Sequence, residues 1–487
     1  MTYRQFTGGG SLRARVTATA LAAALTPLAL TLCAPAAHAA TAAAPYDFNG
    51  DGRVDLAIGA PGATVGGQAK AGAVSVVYGS STGLKTSTRT LITQNTAGVP
   101  GAAEAEDAFG SAVTSADLNT DGYADLLIGA PGEDVDGDTN DGTVVVIWGS
   151  ASGLSGARSV PNPNDTDLDR YGQSVAAGDV EADGDLDIVV GSNGPIGLTF
   201  INGPFTRTSS FQGATGQSFA DEYSTSYGIT SVSVGHVTAS WQTNLVLHGR
   251  RGGTDDAITH LVTDPSIGNY TDWWQELPAG YVSAIGDIDK DGYADIAIGN
   301  ERETSADPAG AKGGKVTVVY GGPAGLNPDR APLVLTQDTP QIPGAAESGD
   351  RFGSHVFLGD INGDGYADLA VGASGENAGA GAVTVLYGSA TGLRTTGVQS
   401  FTQNTTGVPG TSESNDRFGA RVLLADHSGD HRAELTVSAT GENGDGAIWS
   451  LRGATGGVTT SGAASFGPGT TGVSTAGSPG YGAALNS

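Results

Sequence analysis

Asp360, Asn362, Asp364 and Asp368 lie in the stretch DINGDGYAD, with three side-chain oxygens at alternate residues and a fourth four residues further on. Oxygen ligands at that spacing in a tight loop suit a hard divalent cation, and the chemistry implied is calcium coordination. Gly365 lets the chain turn through positive φ, the Tyr366 carbonyl can point inward, and Asp368 closes the cage.

The same nine-residue spacing recurs four more times. Its first, third, fifth and ninth positions are Asp47, Asn49, Asp51 and Asp55; then Asp117, Asn119, Asp121 and Asp125; then Asp179, Glu181, Asp183 and Asp187; then Asp287, Asp289, Asp291 and Asp295. The seventh positions, Arg53, Tyr123, Asp185, Tyr293 and Tyr366, would contribute backbone carbonyls. Metal-free turns are built from the same residue types, so one match would mean little. Five, each leading into a short apolar run, predict about five Ca2+ sites. An EF-hand would need Glu at the twelfth position and a following helix, whereas Ile58, Ile128, Val190, Ile298 and Val371 stand there and predict strands. Protein oxygens fill every ligand position, and catalytic metals keep one open, so the expected role is structural.

The elements that hold these cups repeat with them. Each cup feeds an apolar strand ending in Gly-Ala-Pro or a variant, at 56–61, 126–131, 188–193, 296–300 and 369–374. A further strand ending in aromatic-Gly follows at 74–79, 144–149, 316–321 and 383–388, and aromatic-Gly pairs precede cups at Phe109-Gly110, Tyr171-Gly172 and Phe352-Gly353. Two units are degenerate. After Tyr227-Gly228, the ligand positions hold His236, Thr238, Ser240 and Asn244 with no carboxylate, so that cup should be empty. After Phe418-Gly419, Asp426 to Glu434 keeps three acids but has His431 where Gly is needed, so that cup should be weak. Seven units starting near 47, 117, 179, 236, 287, 360 and 426, with about four short strands each, fit propeller blades. The first lacks its aromatic-Gly strand, and Tyr481-Gly-Ala-Ala-Leu485 supplies the match. A ring closed by the C-terminal strand removes the open edge of a linear array.

Residues 1–39 read as a secretory signal, with Arg4, Arg13 and Arg15, an apolar run from Val16 to Cys33, and Ala37-His-Ala39 as a cleavage site. A short linker at 40–45 would precede the propeller at 46–487. Cys33 is the single cysteine, so no disulfide would remain after cleavage. Loss of the signal takes the formal charge from −28 to −31, and a surface so acidic repels nucleic acid. Seventeen carboxylates at the cup positions account for more than half of that excess.

The Phe-Gly pair, the DxDxDGxxD loop and the Gly-Ala-Pro, recurring in fixed order over residues 46–487, resemble the FG-GAP repeat of integrin α-subunit head domains. The resemblance implies an all-β, seven-bladed β-propeller with calcium between the first and second strands of several blades. Without legs or an anchor, the chain is more similar to free-standing secreted bacterial FG-GAP proteins. Adhesion is then analogy, since one fold hosts many functions.

Other candidates have plainer readings. Gly79-Ser-Ser-Thr-Gly83 fits G-x-S-x-G, but equivalent turns read GSASGL and GSATGL and no helix follows. His236, His248, His260, His355, His427 and His431 form no triad or metal spacing. Glu133 to Asp141 is an acidic insertion that reads as a solvated loop, with an extra metal or ligand site as the alternative. Trp241, Trp273 and Trp274 fall in the divergent stretch from about Gly197 to Tyr281 and read as core, or as a sugar- or protein-contacting patch. The function expected is non-enzymatic recognition of an extracellular protein or cell-surface partner by a monomer with no membrane span. A lectin-like polysaccharide module is the alternative, marked by equivalent sugar sites on a glycan array. A hydrolase or lyase would show turnover dependent on a carboxylate outside the cups.

Overall fold

The computed structural model describes residues 42–163, 169–194, 196–208, 211, 214–219, 222–238, 243–254, 256–264 and 274–486. The signal-like residues 1–39, Ser240, Trp241 and Trp273 lie outside the described residues. Seven four-stranded antiparallel sheets follow one another along the chain. In blade two the order from the axis outward is Ala112–Ala116, Asp125–Ala130, Thr143–Ile147 and Ala157–Val160. The innermost strands are Ala484–Leu485, Ala112–Ala116, Ser174–Gly178, Ile229–Gly235, Val282–Gly286, Phe352–Gly359 and Phe418–Ala425, and each packs on the next until the last meets the first. The protein is a closed, all-β, seven-bladed β-propeller, with the C-terminal strand completing blade one through Ile58↔Leu485 and Gly59↔Ala484. Asn486 adds a clasp: its side-chain oxygen accepts the Ala57 N–H and its amide donates to the Asp55 carbonyl, both at 2.8 Å.

The second strands are continuous apolar runs because both their faces are covered. Side chains alternate across a strand, so Leu126 and Ile128 join the cluster shared with blade one while Leu127 joins the one shared with blade three. The core is accordingly seven clusters, one at each junction between blades, including Leu56, Ile58 and Leu485 against Leu423 and Ile448 where the ring closes.

The aromatic-Gly and Gly-Ala-Pro signatures meet across those junctions. A Cβ on Gly59, Gly129, Gly299 or Gly372 would fall well inside 3.0 Å of the carbonyl oxygen of Gly110, Gly172, Gly353 or Gly419 in the next blade. Phe109, Tyr171, Phe352, Phe418 and Tyr481 are fully buried beside these contacts. Blade four departs from the scheme. His248 stands at the Gly position, blade five opens with Gly280-Tyr281 in reversed order, and His248 Nδ1 lies 3.1 Å from the Gly280 carbonyl oxygen.

Among the described residues no helix follows a cup; the helical turns Glu376–Gly379, Glu442–Gly444 and Pro468–Thr471 lie elsewhere. Among the described residues, no helix is long and apolar enough to cross a membrane.

Candidate metal centres

In blades two to seven the cup joins the innermost strand to the second, while in blade one it precedes the second strand, the innermost being the C-terminal Ala484–Leu485; side-chain oxygens shape the cups by gathering backbone N–H groups. Asp47 accepts the Asp51 and Gly52 N–H groups at 3.0 and 2.8 Å, Asn49 accepts Asp51 at 3.0 Å, and Asp51 accepts Arg53 at 3.1 Å. The cups at Asp117, Asp287 and Asp360 repeat these bonds. In the third cup Asp179 and Asp183 do the same. Two positions carry positive φ: the sixth, as expected, and the fourth, where Gly50 and Gly363 alternate with Thr120, Ala182 and Lys290.

The ninth residue works as a buried tie. Asp55 accepts the Phe48 N–H at 3.1 Å and the Gly79 N–H at 2.8 Å, joining the cup to the end of the third strand. Asp125, Asp187, Asp295 and Asp368 make the same pair of bonds. Burial raises the Asp55 carboxyl to about 8, Asp125, Asp295 and Asp368 to about 7, and Asp187 to about 6, with nearby carboxylates pushing the same way. Burial disfavours the ionised form, so a cation placed beside the tie would favour its ionisation.

The residues fit a hard divalent cation. In the fifth cup one oxygen each of Asp287, Asp289 and Asp295 already lies within 4.8 Å of the others. Arginines sit on some of the predicted ligands: Arg207 on Asp121 at 2.9 Å, Arg330 on Asp289, and Arg53 near Asp51 at 3.6 Å. The predicted carbonyl donors Arg53, Tyr123, Asp185, Tyr293 and Tyr366 each anchor their own N–H on the fifth-position carboxylate. The ligand positions present oxygens, the donor set of hard-cation coordination.

The degenerate cups behave differently from each other. Asn244 preserves the tie without charge, accepting the Val237 N–H at 2.9 Å and donating to the Thr263 carbonyl. His431 takes φ 65 and donates its N–H to Asp426 as the glycines do, so the backbone ground for discounting the seventh cup falls away. Asp426, Asp430 and Glu434 keep the loop's pattern of backbone bonds.

The cups form a chain of their own. The first-position carbonyl of one accepts the eighth-position N–H of the next: Asp47 from Ala124 at 3.0 Å, Asp179 from Thr243 at 2.9 Å, His236 from Ala294 at 3.0 Å, Asp287 from Ala367 at 2.9 Å, Asp360 from Ala433 at 2.8 Å, and Asp426 from Val54 at 3.1 Å. All therefore open at one end of the propeller.

A second repeated constellation escaped the sequence reading. Gln94 donates to Glu133, Gln337 to Glu376 at 2.5 Å and Gln403 to Glu442 at 2.6 Å, each between adjacent blades. Glu133 thus belongs to a repeated junction instead of the acidic insertion, and burial raises it to about 7. The constant spacing of 39 residues was the available signal. In the rest of the insertion, Asp134 accepts the Asn140 N–H and Asp141 accepts the Asn162 amide. Trp274 stacks on His260 at 4.3 Å beside Phe219, within the aromatic packing of blade four. His248, His260 and His427 are buried, and Ser81 of the G-x-S-x-G turn is exposed at a loop.

The FG-GAP repeat family matches residues 39–77, 109–147, 279–319 and 352–386. In the last three stretches the match spans a cup with the strands on either side of it. The chain carries FG-GAP repeats. It is 35% identical over 165 residues to phosphatidylinositol-glycan-specific phospholipase D of Rattus norvegicus, covering 33% of this chain and 19% of that protein. It is 34% identical over 158 residues to integrin alpha-8 of Mus musculus, covering 31% of this chain and 14% of the integrin, and 36% identical over 116 residues to integrin alpha-6 of Homo sapiens, covering 24% and 9%. The matched stretch thus spans about a fifth or less of these curated relatives. Blades three, four and seven lie outside the family match, and they carry Asn193, His248 and Ser438 where Pro, Gly and Gly stand in blade two.

Proposed function

We propose that this chain is an exported, calcium-braced FG-GAP propeller that acts as a non-enzymatic recognition module for a protein or cell-surface partner. The observation that carries the reading is the set of cups whose ligand positions are filled by protein oxygens and whose ninth carboxylates are buried without a counter-charge. Calcium there would brace the folded state, and each site would contribute about 2.7 kcal/mol at a hundredfold excess over Kd. The relatives' names denote a phospholipase and integrin subunits alike, and the stretch in common is the repeats, so neither activity comes with it. Leu91 and Val334 are the exposed large hydrophobics among the described residues, which suits a monomer without a permanent apolar interface. Residues 1–39 would direct export.

Equilibrium dialysis of residues 40–487 against calcium should give about five sites, and chelation should lower Tm and abolish capture of partners from the surrounding medium. Absence of calcium binding would remove the reading. Capture unaffected by the chelator would separate recognition from the metal.

A further inference from the structure

The innermost strands enclose a cavity of about 370 Å³ at one end of the channel, and all seven blades contribute to its wall. In a chain of net charge −28 the charged groups lining it are both cationic, Arg250 and Arg421, beside Gln173, Tyr227, Tyr281 and a neutral His355, whose pKa burial lowers to about 3. The Arg250 guanidinium lies 4.2 Å from the Tyr227 ring centre and 5.9 Å from that of Tyr281, which Arg302 also approaches at 5.2 Å. Tyr281 reaches this mouth because blade five has it where the other FG-GAP blades have glycine: its N–H donates to the Gly299 carbonyl, as Gly110 donates to Gly129. His355 Nδ1 accepts the Val422 N–H at 3.3 Å, which leaves Nε2–H for whatever occupies the channel.

None of Arg250, Arg302 and Arg421 makes an ion pair among the described residues. The acids nearby have other contacts as well. Glu301 lies 4.0 Å from Arg351, and Asp307 accepts the Tyr281 hydroxyl at 3.1 Å. Of the Arg421 donors one reaches the Ala420 carbonyl at 3.0 Å. Burial lowers the Arg421 pKa and Glu301 offsets part of that, while Arg250 lies against the Tyr227 ring; guanidinium forks match carboxylate and sulfate oxygens. Ser111, Ser174 and Thr230 donate to the Ala108, Ile229 and His248 carbonyls and keep lone pairs that accept a sugar's hydroxyl protons, and Ser231 adds a fourth hydroxyl.

We propose that this channel mouth binds an acidic saccharide unit, a hexuronate or a sulfated hexose, with Arg250 and Arg421 on its anionic group. The proposal rests on the recognition reading above and names its ligand class.

The test is calorimetry of the calcium-loaded chain with tetragalacturonate and with its fully methyl-esterified, uncharged counterpart, followed by Arg250→Gln and Arg421→Gln variants whose melting curves match the parent. The expected result is binding of the acid form, a loss of about tenfold or more in each variant, and weaker binding of the ester by a similar factor. Equal binding of the two forms, or acid binding unmoved by both substitutions, overturns the proposal. No saccharide binding by a chain that still captures a protein partner overturns the proposal and leaves the recognition reading standing.

Discussion

Gly59 in blade one and Gly110 in blade two approach so closely that a side chain on Gly59 would occupy the space of the Gly110 carbonyl oxygen. Phe109 is fully buried beside that contact. The repeat motif is therefore a joint between blades, written half in one repeat and half in the next.

Gly59→Ala should destabilise the ring by about 1–3 kcal/mol, the ordinary cost of overpacking a filled site. Backbone stands in the way, so relaxation has to separate two blades. Gly469→Ala is the control, because nothing lies within 4 Å of the added Cβ and φ is not positive there. Urea titration of both variants should show a lowered midpoint for the first and none for the second.

Asn486→Ala should loosen the closure of the ring. The substitution leaves the Ala57 N–H and the Asp55 carbonyl without their buried partner, and an unsatisfied buried group costs about 1–3 kcal/mol. Limited proteolysis should then release the C-terminal residues faster than in the parent while the other blades stay resistant. Equal cleavage rates would mean that Tyr481 and the two-residue strand hold the tail unaided.

Most of this architecture was legible in the sequence because each FG-GAP repeat writes its strands, turn and cup locally. The cups and the tail that completes blade one could be read from spacing. What could not be read were relations between repeats. Gln94 and Glu133 sit in different blades, so neither residue alone looks like half of a pair. Positive φ at the fourth cup position was hidden because Thr120, Ala182 and Lys290 adopt it beside Gly50 and Gly363. His431 takes the positive φ that the sixth cup position requires, which its residue type does not announce. The arginines at the channel mouth come from three blades and converge only once the ring is closed.

His248 should make the ring acid-sensitive. It is fully buried, its ring nitrogens lie 3.1 Å from the Gly280 carbonyl oxygen and 2.8 Å from the Ser283 hydroxyl, and Thr259 and Ser283 are the side chains hydrogen-bonded to it. Burial lowers its pKa from 6.5 to about 4. Between those values the unfolded chain binds a proton that the folded chain refuses. Stability is thus intact above about 6.5, falls as pH drops toward 4, and levels off below, a loss of roughly 3 kcal/mol from this residue. In His248→Gln the same acid scan should be shallower by that amount. Parallel curves would sink the assignment.

Asp291→Asn should separate metal binding from folding. Asp291 accepts the Tyr293 N–H at 3.0 Å through one oxygen, which the amide retains, so the loop keeps its shape. The variant should melt with the parent in chelator, because nothing buried has changed. Calcium affinity follows the charge count of the ligand set, so the fifth cup, where Asp287, Asp289 and Asp295 already converge, should lose affinity and the titrated stoichiometry should fall by one site. Arg330 bonds Asp289, and with the charge of Asp291 removed it would compete more effectively with the ion. Unchanged stoichiometry would show that this loop holds its shape by hydrogen bonds alone and that calcium contributes nothing to blade five.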